Sequence, residues 1–96
     1  MLKPWLKSYS AGVPEEIDIN EYSSVAEIFD SSIAKYADLP AYTNFGKTIT
    51  FSELDVYTAR LGAYLKNELA LNKSDRVAVM MPNLLQNPVA IFGILR

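Results

Sequence analysis

An α/β architecture, ordered helix, β-hairpin, helix, strand, helix, is the fold that this 96-residue sequence predicts, and three observations carry it. The first is the run Val77-Ala-Val-Met-Met81, apolar throughout, which is the pattern of a strand covered on both faces, as in parallel sheets. The second is a pair of segments with helical spacing on either side of that run, Leu54 to Leu69 and Leu84 to Arg96. The third is a stretch of β-favouring residues around Gly46, which reads as a hairpin. Strand 77–81 and the helix after Pro82 make the first two parts of a βαβ unit, whose returning parallel strand is not in the sequence. Leu95-Arg96 offers no Gly cap, Pro or polar tail to end that helix, so the expectation is an incomplete fold with a sticky edge and a tendency to self-associate.

Residues 1–22 carry scattered charges, Pro4 and Pro14 and no sustained period, so they are expected to form an extended arm on a larger body. Trp5 is its expected anchor against the protein; the competing reading is peripheral contact of Leu2, Trp5 and Leu6, with Lys3 and Lys7, with a membrane surface. Ser24-x-x-Glu27 is a capping box that opens a helix, in which Val25, Ile28, Phe29, Ile33 and Tyr36 would share one apolar face. Asp38-Leu39-Pro40 stops it, and Ala41 to Thr50 follows as the hairpin, turning at Gly46.

Thr50 serves as strand end and as cap of the next helix, because Thr50-x-x-Glu53 is a second capping box with Ile49 and Leu54 placed as a hydrophobic staple. Leu54, Tyr57, Leu61, Tyr64, Leu65 and Leu69 continue at helical spacing, with Ala59 and Ala63 small enough for close approach of a neighbour. Asn72-Lys-Ser-Asp75 turns the chain into strand 77–81. The last helix has two candidate starts: Asn83 as cap with Pro88 one turn inside, or Asn87 as cap with Pro88 at the first helical position.

Composition narrows the function classes. Half the residues are apolar and 21% charged, an ordinary globular balance. A net charge of −2, spread thinly, provides no basic field for nucleic acid. With no cysteine and no histidine, disulfides, thiolate chemistry, Cys/His zinc sites and imidazole acid–base catalysis are all excluded from this stretch. The first residues lack the apolar run of a secretory signal. Val77 to Leu95 is interrupted by Pro82, Asn83, Gln86, Asn87 and Pro88, which is unsuited to a bilayer core.

Each motif with chemical colour has a plain structural reading beside it. Gly46-Lys47-Thr48 resembles the end of a phosphate-binding loop, but position 41 is Ala where that motif needs Gly, and the setting is a hairpin. Glu15-Glu16 reads as a solvated pair, and Glu53 with Asp55 as first-turn acids complementing a helix dipole, rather than as a general acid and base. Tyr36, Tyr42, Tyr57 and Tyr64 read as core packing rather than as a pocket lining. Met80-Met81-Pro82-Asn83 follows the carboxyl end of the expected strand, where ligands gather in open α/β sheets, yet strand end and helix cap explain it as well. From the residues, no catalytic, cofactor-binding or metal-ligating residue is assigned.

The run Asp75-Arg-Val-Ala-Val-Met-Met-Pro-Asn-Leu-Leu-Gln-Asn-Pro-Val-Ala-Ile-Phe-Gly-Ile-Leu-Arg96 resembles the N-terminal segment of bacterial long-chain fatty acyl-CoA synthetases, in the adenylate-forming, AMP-binding superfamily. Trp5-Leu6, Ala34-Lys-Tyr-Ala-Asp38, Pro40-Ala41, Thr50-Phe51 with Leu54, and Ala63-Tyr-Leu65 extend the resemblance in order over nearly the whole chain. Asn87 departs from it, standing where the resemblance implies an aromatic residue. The resemblance implies that residues 23–96 are the N-terminal portion of an α/β AMP-binding large domain, in a parent enzyme that activates a fatty acid with ATP and magnesium and transfers the acyl group to coenzyme A. It also implies a cytoplasmic setting, at most peripheral to the membrane, and the remainder of the parent chain as the main partner. The family's phosphate loop, adenine motif, hinge and catalytic lysine have no match here, so the chain alone is expected to be inactive. Two alternatives stand beside this: a ligase for a different carboxylic acid, or a stand-alone binding module.

Overall fold

The computed structural model describes residues 2–96. Pro4–Ser8 form one turn of 3-10 helix, followed by helix α1 (Val25–Tyr36), strands β1 (Pro40–Asn44) and β2 (Lys47–Thr50), and helices α2 (Phe51–Asn67) and α3 (Gln86–Leu95). It is a mixed helix and strand arrangement with a single two-stranded sheet among the described residues.

Local chemistry explains most of these elements. The Ser24 hydroxyl accepts from the Glu27 amide at 3.1 Å, capping α1 as its sequence predicts. The return bond differs: the Glu27 carboxylate accepts from the amide of Ser23 at 2.6 Å and from the Ser23 hydroxyl, one residue before the expected donor. At the hairpin, β1 and β2 pair antiparallel with Asn44 opposite Lys47, and the two connecting residues, Phe45 (φ 49°) and Gly46 (φ 77°), are both left-handed. Positive φ at both central positions is the turn whose twist matches a two-residue hairpin, and Phe45 holds it at a steric cost that Gly46 escapes.

α2 begins with its amides well supplied. Glu53 N–H donates to Thr50 Oγ1 (3.2 Å) and Thr50 N–H to Glu53 Oε2 (2.9 Å), the complete capping box. The amides of Phe51 and Ser52, without partners inside the helix, donate to the carbonyls of Leu39 and Ala37 at 3.1 and 2.9 Å, so the loop after α1 caps α2 as well. Ile49 and Leu54, the predicted staple, are both buried and join Phe29 in the small apolar core. Ile33, Ala41, Leu85, Val89 and Phe92 pack around it.

Four expectations are corrected. Val77–Met81 is not a strand: among the described residues no backbone hydrogen bond joins Arg76–Met81 to any other segment. A strand exists only through its ladder, and this segment is not paired with the sheet of β1 and β2. α3 starts at Gln86, with Leu85 at the cap position and no side-chain cap, so neither Asn83 nor Asn87 caps it. Pro88 thereby falls in the first turn, where its missing N–H costs no helical bond. The close approach of α2 to a neighbour is made by Gly62, against Gly93 of α3, and not by the exposed Ala59 and Ala63. Finally, the predicted apolar face of α1 is only partly covered: Phe29 is buried, whereas Val25, Ile28 and Tyr36 stay exposed.

The chain is expanded for its size. Its radius of gyration is 17.0 Å, against about 12.5 Å for a compact domain of this length. Its accessible surface is 7957 Å², against about 5,500 Å² for a compact monomer of this mass. Part of the excess lies in residues 2–25, all of them exposed except the half-buried Leu6, with Trp5 keeping 47% of its surface. No helix is long and apolar enough to cross a membrane among the described residues.

Candidate functional site

Of the motif Met80-Met81-Pro82-Asn83, Asn83 lines a cleft of about 320 Å³ between β1, the 82–85 turn and α3. Two carboxamides hold that turn. Asn44, the last residue of β1, donates from Nδ2 to the Asn83 carbonyl at 3.0 Å, and Asn87 reaches the Pro82 carbonyl from Nδ2 at 3.5 Å. The backbone bond from Leu84 N–H to the Pro82 carbonyl (2.9 Å) tightens the same corner. Tyr42, Thr43 and Asn44 form one wall, and Leu84, Leu85, Pro88, Ile91 and Phe92 the apolar one. The Asn44 bond links positions 39 apart in sequence, and no local pattern announces it.

A second constellation joins α3 to α2. Arg96 Nη1 donates to the Asp55 carbonyl (3.0 Å), to Thr58 Oγ1 (3.0 Å) and to the Asp55 carboxylate, and its guanidinium lies 5.9 Å from the centre of the Phe29 ring. Thr58 is fully buried, and its hydroxyl donates to the Asp55 carbonyl at 3.0 Å, so its polar group is satisfied in both directions. Three elements meet on one cation here, in a structural clamp with no free nucleophile or base.

The other sequence candidates stay apart. Gly46-Lys47-Thr48 occupies the hairpin turn and β2, with Thr48 Oγ1 hydrogen-bonded to Thr43 Oγ1 at 2.7 Å. The amides that would have to converge on a phosphate belong to a β-ladder, so this is no nucleotide cradle. Glu53 is committed to the capping box and Asp55 to Arg96. Glu16 pairs with Lys3 at 2.7 Å on the surface, a contact worth at most about 1 kcal/mol. The four tyrosines expected in the core are all at least 39% exposed, because the elements that carry them have no layer above them. Among the described residues no group of acidic, His or Cys side chains is placed to hold a metal ion.

Class membership comes from the chain as a whole. This chain belongs to the AMP-binding enzyme family, whose sequence profile matches residues 29–96. More particularly, it is similar to the long-chain-fatty-acid–CoA ligases of Yersinia pestis (52% identical), Haemophilus influenzae (45%), each over all 96 residues, and Bacillus subtilis (34% over 93 residues). The chain spans 17% of the length of the first two and 16% of the third. No solved structure matches it significantly.

Proposed function

We propose that these residues are the N-terminal portion of a long-chain-fatty-acid–CoA ligase, an enzyme that forms an acyl-adenylate from ATP and a fatty acid and passes the acyl group to coenzyme A. The observation that carries this reading is identity of 52% across the whole chain to ligases about six times as long. In this reading residues 1–22 are an arm and residues 23–96 begin the α/β AMP-binding domain, and the main partner is the remainder of the same polypeptide.

The surface supports that division of labour. Val77, Val79 and Met81 are each 37–38% exposed, whereas Met80 between them is 97% exposed. Period-two alternation of this kind suits a strand with one face against the helices and one face open. An excess of about 2,400 Å² over a compact monomer is of the order of a large permanent interface. Strands on either side of Val77–Met81 and a layer over Met80 would convert the segment into the buried strand its composition calls for. The chain supplies scaffold to the domain, and ATP, magnesium and coenzyme A are held by residues outside it.

The test is acid-dependent release of AMP by the full-length polypeptide that contains these residues, with palmitate compared with acetate and an aromatic acid. Palmitate is expected to give the highest kcat/KM. Preference for another acid class would replace the substrate assignment, and absence of AMP with every acid would overturn the reading. The isolated 96-residue chain is expected to show no turnover and to self-associate in light scattering, while the longer polypeptide does not show the same apolar surface to a hydrophobic dye.

A further inference from the structure

We draw no further inference here: the strongest candidate, the open cleft between β1, the Pro82–Asn83 turn and α3, has the carboxamides of Asn44 and Asn87 committed to the turn itself, and nothing in the structure shows what covers its apolar wall.

Discussion

The rings of Phe29 and Phe92 stack with their centroids 4.4 Å apart and their planes inclined by 15°. This contact fastens α3 to α1, and it seats Phe92 against a core whose buried apolar members are Phe29, Ile49 and Leu54. With so few buried side chains, each one is a large share of the stability.

Phe29→Ala should therefore cost about 3 kcal/mol or more, the usual range for truncating a buried aromatic. At roughly 0.05–0.15 kcal/mol per residue, that is a large share of the stability of a chain of this size. The expected result is loss of the cooperative urea transition, with Phe92→Leu retaining a transition at a lower midpoint. An unchanged midpoint for Phe29→Ala would show that the stacked pair is not part of the core.

Thr50 ends β2 and caps α2 through the reciprocal bonds with Glu53. Thr50→Ala should lower stability by about 1 kcal/mol, and Thr50→Ser by less, because serine keeps the accepting oxygen. Urea midpoints for the two variants beside the unaltered chain give the comparison; equal losses for Ala and Ser would place the effect in the β-branched methyl rather than in the cap.

Gly93 leaves no room for a side chain: a Cβ there would come within 2.9 Å of Leu61 Cδ2 and 3.1 Å of Leu61 Cβ. Gly93→Ala should force α2 and α3 apart at a cost of about 1–3 kcal/mol, despite the better helix propensity of alanine. Pairing it with Leu61→Ala should recover part of the loss. Additive penalties in the double variant would argue against a direct clash.

Glu27 holds its carboxyl below the usual range, first because the Ser23 hydroxyl donates to it and second because the Ser23 amide does. A folded value lower than the unfolded one means that this contribution is fully present above about pH 4.3, the ordinary glutamate value. It is lost as the pH falls through the folded value. The difference in stability between the unaltered chain and Glu27→Gln should accordingly be larger at pH 6 than at pH 3. A difference independent of pH would show that the Ser23 bonds do not depend on the carboxylate charge.

The elements determined by the sequence alone are those whose causes lie within a few residues. Ser24 and Thr50 cap because their oxygens meet the amide three residues on, Gly46 turns the hairpin because it adopts positive φ without strain, and the periodicity of Leu54 to Leu65 gives α2 one apolar face to bury. Family membership was legible for a similar reason, since Met80-Met-Pro-Asn83 and its flanks are contiguous. Tertiary structure decided what depends on distant partners. Gly62 and Gly93 are matched only when α2 and α3 cross, and Asn44 meets the Asn83 carbonyl only when β1 comes to lie beside the turn. The same dependence explains Val77–Met81. Its apolar composition is that of a buried strand, but backbone pairing is supplied by neighbours, and without them the segment holds the alternating pattern of a strand and none of its hydrogen bonds.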